Sequence, residues 1–439
     1  MKHAGVRSQL TAGLLLPLLF AAAGGAPDLC AADWPQWRGP SRTGHAATGD
    51  SLPRTLPAEP VVRWRVPAGA GLASPVVAEG RVFLFDAQSS QETLRSVSFD
   101  TGKEQWRQDI DATFTDSQSA PGPRCTPVVD GDRIYAVSCR GELQCRSVSD
   151  GKLLWHVNYS TQFEAIFFGE KGASQGASRH GNNGTPLIDG DRLVACAGST
   201  NGASVVVLNK RTGDLIWKSQ NDVAGYAPPL VATLDGIRQY VCFTAEAALG
   251  VEASTGRLLW RYPLKTAFGR HAATPLIDGN RVLISTHQAG LICLEIRTEA
   301  DGRSQTATAA WTNRDAAMNF ASPVQVGSTV YGLGPARNVV AVDAAAGTMR
   351  WSRDGWFTSP KDKSYAGFLT DGRTLLVLTD GGELGLFAID GAEGKELGRL
   401  QVTGANWCNP AWSDGVLLLR DAKSWTALNL GAEVEGLKR

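Results

Sequence analysis

The amino-acid sequence predicts an all-β chain: an eight-bladed β-propeller of four-stranded antiparallel blades, with the N-terminal strand completing the last blade. Three observations lead there. A proline that opens a short apolar strand recurs at Pro75, Pro127, Pro186, Pro229, Pro275, Pro323 and Pro410, with Gly367 in the equivalent place, at intervals of 43 to 59 residues, a period typical of propeller repeats. A tryptophan closes the repeat at Trp106, Trp155, Trp217, Trp260, Trp311 and Trp351, and five of these turns read DTGK, SDGK, RTGD, STGR and AAGT. A seventh, Trp64 in VVRWRV, precedes the first opening proline and so has no upstream blade of its own. A β-sandwich would not need so regular a four-strand period.

In the first unit, Pro75 opens the inner strand, the Glu79-Gly80 turn reverses it, and Arg81 to Phe85 return. Leu94 to Phe99 form a third strand, and Asp100-Thr101-Gly102-Lys103 turns the chain into a fourth, closed by Trp106. After Pro410 the chain supplies inner strands at Gly415 to Arg420 and Ser424 to Asn429 but no fourth strand. Val61 to Val66 is therefore expected to take that place and seal the ring. A large flat indole suits the gap between neighbouring twisted sheets, and removing one should cost about 3–5 kcal/mol. Proline suits an inner edge, where an amide N–H would face the channel unpaired.

Residues 61–430 thus read as one closed unit, although 439 residues would by length alone suggest two or three domains. Residues 1–32 read as an export signal, with Lys2 and Arg7 ahead of LTAGLLLPLLFAAAGGA and small residues near Ala26 and Ala31. The apolar run is short for a membrane span. No transmembrane segment is expected after signal removal, and the chain is expected in the periplasm or at the cell envelope. Cys30 follows Pro27-Asp28-Leu29, which departs from a lipoprotein signal next to the cysteine. Basic and acidic residues balance at 43 each without a basic run, which argues against nucleic acid as a partner. Cleavage at Ala32 would leave seven cysteines, an odd number set singly in different strands. They read as buried apolar groups, not a disulfide framework. Across the Arg140-Gly141 turn, Cys145 is expected opposite Ala136.

Residues 33–60 are rich in Pro and Gly and form an extended lead-in, whose Trp34 and Trp37 need cover on the side or floor of the propeller. Residues 431–439 are a tail. Connections from an outer strand to the next inner strand emerge on the same end as the second-to-third hairpins. Two are long, 107–124 and 156–183, and because they follow consecutive blades they are expected to form a wall on one rim. The second carries Tyr159, Phe163, Ile166, Phe167 and Phe168, an apolar cluster that either folds back over a blade edge or meets a partner. Residues 297–310 fall between the third and fourth strands of blade five, on the opposite face, and are expected to be solvated.

Just before each opening proline the chain nears the axis. That gathers Arg124, Asn182, Asn183, Tyr226, Arg270, His271, Asn319, Phe320, Tyr365, Asn406 and Trp407 at the channel mouth. Such a ring suits a polar, flat or anionic ligand, or else it bonds the loops to one another and to channel water. No catalytic constellation emerges. His180 and His271 offer general-base chemistry, but no serine occupies a nucleophile elbow. No clustered His and Cys spacing marks a metal, and the Gly-rich turns are hairpins, not phosphate cradles.

The ending DTGKEQW, Asp100 to Trp106, resembles the tryptophan-docking repeat of the pyrroloquinoline-quinone (PQQ) dehydrogenase superfamily. With the lead-in WPQWRGP, residues 61–430 are similar to exported PQQ-like propeller proteins. The resemblance implies either a quinone-dependent dehydrogenase or a non-enzymatic propeller similar to the lipoprotein of outer-membrane assembly. The dehydrogenases carry adjacent cysteines over the quinone and a carboxylate-amide set holding calcium. No two cysteines are adjacent here, which disfavours PQQ with calcium. The expectation is a non-enzymatic, monomeric envelope scaffold that binds a protein, or a carbohydrate, through its rim loops. The alternative is a PQQ-dependent oxidoreductase holding a quinone at the mouth with Arg270, His271 and Asn182.

Overall fold

The computed structural model describes residues 1, 32–115, 120–167, 176–357, 364–389 and 393–430. The expected leader, Phe168 and the tail lie outside the described residues. Eight four-stranded sheets make up the ring. Seven blades are contiguous in sequence, from Val76–Ala78 to Glu104–Ala112 in blade one through Ala366–Thr370 to Lys395–Gln401 in blade seven. Blade eight draws on both ends of the chain. Ala411–Ser413, Val416–Arg420 and Ser424–Asn429 are completed by Val61–Pro67, antiparallel to the last, with Trp64 opposite Ala427. Trp64 packs in one core with Leu417 and Leu428, so the seam is covalently staggered and closed by a full strand ladder.

The indoles bridge successive blades. Trp64 Nε1 donates to Phe99 O at 2.7 Å, Trp106 to Val148 O at 2.9 Å, Trp155 to Lys210 O at 3.0 Å, Trp217 to Ala253 O at 3.3 Å and Trp311 to Ala344 O at 3.2 Å. Each acceptor belongs to the third-to-fourth hairpin of the next blade, where a turn glycine lies flat under the ring. A Cβ on Gly102 would sit 2.8 Å from the Trp64 ring, and φ there is +67°, so any side chain would meet both a clash and a left-handed backbone.

Trp260 breaks the pattern. Blade five has a long third-to-fourth hairpin, Gly290–Thr298 with Gln305–Asn313, whose turn glycine, Gly302 at φ +66°, has no ring within 4 Å. Residues 297–310 are mostly exposed, as expected of a solvated insertion, while Thr298 and Gln305 tie the hairpin to blade four. Thr298 N donates to Asp235 Oδ2 at 2.6 Å, and the buried Gln305 donates to Leu234 O at 2.8 Å. Trp260 Nε1 then turns to Gln239 Oε1 of its own blade at 2.5 Å, and Gln239 Nε2 donates to Gln305 at 2.8 Å.

Five of the opening prolines follow a Ser or Thr, and that hydroxyl has a structural role. Ser74 N donates to Thr126 Oγ1 at 3.1 Å, Thr126 N to Thr185 Oγ1 at 3.1 Å, and Thr274 N to Ser322 Oγ at 2.9 Å. Hydroxyls on one blade thus satisfy amides on the preceding one. Glycine replaces the proline at 367 because a Cβ there would lie 2.4 Å from Cδ of Pro410 in blade eight. The register around Cys145 is also corrected. Cys145 faces Tyr135, and Gln144 faces Ala136, because the turn closes from Ser138 to Gly141 with Gly141 N on Ser138 O.

The lead-in does more than cover the floor. Trp34 exchanges both backbone hydrogen bonds with Val77 of blade one, at 2.9 Å each, and Val129 N of blade two donates to Pro35 O at 2.8 Å. Trp37 Nε1 reaches Thr274 Oγ1 of blade five at 3.0 Å. Arg38 donates to Pro323 O of blade six, while Arg42 donates to Thr185 O and Pro186 O of blade three at 2.9 and 2.8 Å. Ala46 N and Thr370 of blade seven complete the circuit at 2.8 Å. Residues 34–46 therefore span the axis between the inner strands of six blades. Asp33 bonds the first hairpin of blade one and Asp50 that of blade eight, so the plug enters from the face opposite the rim loops.

Candidate functional site at the rim

Strand Leu153–Asn158 stops where Asn158 turns its side chain onto the backbone, its Oδ1 accepting from Ser160 N at 3.1 Å and Thr161 N at 3.2 Å. That cap starts the short helix Tyr159–Phe163. The helix buries Tyr159 and Phe163 against the core shared by blades two and three. Beyond it, Phe167 meets Phe114 of the neighbouring long loop edge-on, with ring centroids 4.9 Å apart. The two long connections are thus in contact, and Ile166 stands 39% exposed on their crest. The loop returns across the next two connections, with Gly176 N on Phe268 O at 2.9 Å and Ala177 N on Ala224 O at 2.8 Å. A shallow cleft lined by Arg140, Ile166, Phe167, Asn182, Val223 and Ala224 runs beneath the crest.

Under this wall lies Glu92, in strand Gln91–Ser98 of blade one and fully buried. Its Oε2 accepts from Cys139 N at 3.0 Å, and its Oε1 has no partner. Burial first, and then the Asp111 charge, push its pKa up to about 7 against the pull of the Cys139 N–H.

The mouth residues separate into two groups. Arg270, Phe320, Tyr365 and Trp407 come together from four successive connections. Tyr365 and Trp407 stack at 5.7 Å, Phe320 lies 5.0 Å from Trp407, and the Arg270 guanidinium sits 5.4 Å over Phe320. Phe268 extends this arc with Arg270 at 5.8 Å and Arg179 at 4.2 Å over its ring. Sequence reasoning missed Phe268, and the Gly269-Arg270 step beside it was the available signal.

The others serve their own loops. His271 is fully buried, its ring stacked 4.3 Å from Phe243 and its Nδ1 2.5 Å from Thr244 O. Burial lowers its pKa to about 4, so the ring is neutral near pH 7 and fastens the connection after blade four. Asn406 donates to Thr379 O at 2.9 Å and accepts from Cys408 N at 3.2 Å. Asn182 Nδ2 binds Cys139 O, and Arg124 Nη2 binds Ala120 O, both at 3.2 Å. Tyr226 is buried with its ring 6.4 Å from His180. The side-chain oxygens of Asn183 and Asn319 are buried without a partner.

A quinone with calcium would need a convergent set of carboxylate and amide oxygens. Among the described residues no group of three His, Cys, Asp or Glu side chains converges to hold a metal ion. The acids near the mouth are engaged elsewhere: Asp222 pairs with Arg261 at 2.8 Å, and Asp380 Oδ2 accepts from Tyr365 N at 3.2 Å. Among the described residues, no helix is long and apolar enough to cross a membrane.

Comparison with known proteins agrees with this architecture. The outer membrane protein assembly factor BamB of Shewanella oneidensis is 24% identical over 371 residues, covering 78% of this chain and 82% of that protein. The crystal structure of BamB from Moraxella catarrhalis superposes with a TM-score of 0.54 at 16% identity, covering 83% of this chain and 98% of the other. The computationally designed Ika8 protein gives the same TM-score at 11% identity, with 86% and 100% coverage. A family model described as outer membrane protein assembly factor BamB, and named for its PQQ repeats, matches residues 59–164 and 90–353. Since those matches take in more than half of the sequence, this chain belongs to the PQQ-repeat propeller family of outer membrane protein assembly factor BamB.

Proposed function

We propose that the protein is a non-enzymatic, monomeric scaffold of the cell envelope, exported by its N-terminal segment, that holds a protein partner against its rim. One observation carries the reading: two long connections meet through Phe114 and Phe167 to raise a wall with Ile166 on its crest and a cleft at its foot. Rigid blades fix the base of that wall, which is how a scaffold presents recognition loops. The BamB relatives, named for outer membrane protein assembly, support a role among envelope proteins. The reading needs no cofactor and no nucleophile.

The test exchanges 107–124 and 156–183 for short turns and recovers partners from crosslinked envelope fractions by pull-down. Loss of a partner that the unaltered chain captures, with unchanged thermal unfolding, is the expected result. Unchanged recovery would refute the rim as the binding face.

A further inference from the structure

We propose that Arg270 is a carboxylate receptor, and that the channel mouth seats an acidic segment of the protein partner. This rests on the scaffold reading and names the chemistry of one of its contacts. Arg270 lies between two aromatic rings, 5.4 Å from the centroid of Phe320 and 5.8 Å from that of Phe268. A guanidinium held over ring faces keeps its N–H fork in its own plane, available to a carboxylate from the side. Arg270 is half-buried, and among the described residues no carboxylate pairs with it and no acceptor takes its side-chain N–H groups. Fixed by its rings and short of an acceptor, it is set for a bidentate acidic partner.

The surrounding rings decide what kind of acid arrives. Trp407 is covered by Tyr365 and by Phe320, while Phe268 carries Arg179 and Arg270 over its ring. These contacts leave cationic edges at the mouth. Beside them is the rim of Phe268, which is 45% exposed and held at φ +67°. A phenylalanine kept exposed in a left-handed conformation is held there by its surroundings, and its ring gives an apolar contact beside the guanidinium. An acidic side chain flanked by aliphatic ones on a peptide matches both.

The experiment titrates the full chain by calorimetry with a blocked Glu-Leu-Glu-Leu-Glu peptide and its Gln-for-Glu counterpart. The Glu peptide is expected to bind at least tenfold more tightly. Arg270→Gln should reduce that preference below threefold, and Arg270→Lys should too, because lysine keeps the charge but loses the planar fork. Thermal unfolding of both variants should match the unaltered chain. Equal binding of the two peptides, a preference that survives in Arg270→Gln, or tighter binding of inorganic phosphate or glucuronate than of the Glu peptide would each overturn the assignment. Partner capture separates the two readings. Capture lost with shortened rim loops but kept by Arg270→Gln overturns the receptor alone, and capture kept by both overturns the scaffold and the receptor with it.

Discussion

Replacing Glu92 with glutamine should change how stability depends on pH. Glu92 is fully buried and its pKa is pushed up to about 7, from an ordinary value of 4.5, chiefly by burial. The folded state therefore favours the protonated acid. Stability from this group is complete below the unfolded value and is lost as pH rises toward 7, with little further change above. Linkage gives a loss of about 2.5 kcal/mol between pH 5 and pH 8. The unaltered chain will not display it cleanly, because His271 works the other way. Its folded pKa, about 4, lies below the ordinary 6.5, so its contribution is lost as pH falls through the unfolded value and recovers by about 2 kcal/mol between pH 5 and pH 8. The difference between the unaltered chain and Glu92→Gln isolates the acid, since glutamine keeps an oxygen for Cys139 N and cannot ionise. Denaturant unfolding at four pH values from 5 to 8 should show the variant gaining relative stability up to about pH 7 and levelling off above it. Parallel curves for the two proteins would refute the assignment of a buried, near-neutral carboxyl at this position.

Trp64→Ala should cost about 3–5 kcal/mol in denaturant unfolding, because it empties the seam core and orphans Phe99 O. Gly102→Ala and Gly80→Ala form a matched pair, with φ of +67° and +68°, but only the first would meet a ring. The backbone cost of about 1 kcal/mol is shared, and Gly102→Ala should add roughly 1–3 kcal/mol of overpacking against Trp64. Arg42→Ala leaves Thr185 O and Pro186 O without their donor. It should loosen the plug, read as roughly tenfold faster tryptic cleavage after Arg54 without loss of the folded ring.

The repeat was legible because each of its marks has a single physical cause. The glycine turns under Trp64, Trp106 and Trp155 are where a flat ring must lie on backbone, and the opening prolines sit where an inner-edge amide would go unused. Trp260 looks the same in the sequence but docks differently, since the cause lies about forty residues away in a lengthened hairpin that carries its turn glycine, Gly302, clear of any ring. Topology puts His271 and Asn406 in the connections that lead to the inner strands of the next blades. Topology says where the backbone goes, however, and both side chains turn inward to nearby carbonyls. Glu92 left no trace because a glutamate within an alternating strand reads as a solvent-facing position, and only the long loop packed above it makes the site dry. The plug was half visible. Two tryptophans in a segment without a core need cover, but nothing in WPQWRGPSRTG states that its arginines reach opposite walls.

The plug also bears on where a partner can be met. Arg38 and Arg42 are fully buried, and burial lowers their pKa values to about 9, which still leaves both charged at neutral pH. Among the described residues their hydrogen-bond partners are neutral: carbonyls of residues 43, 185, 186 and 323, and the Gln36 amide. Charged guanidiniums on main-chain carbonyls make stronger hydrogen bonds than neutral donors would, and each tie spans from the plug to a separate blade. Backbone at both arginines is left-handed, φ +60° and +62°, a conformation that side chains adopt only when the surroundings impose it. The segment is thus held from several sides at once, and the axis is blocked on the face where the first hairpins emerge. Binding that used the channel would have to enter from the rim, where Arg270 and its rings stand and where the long connections rise. Closure of one end and elaboration of the other point the molecule in a single direction.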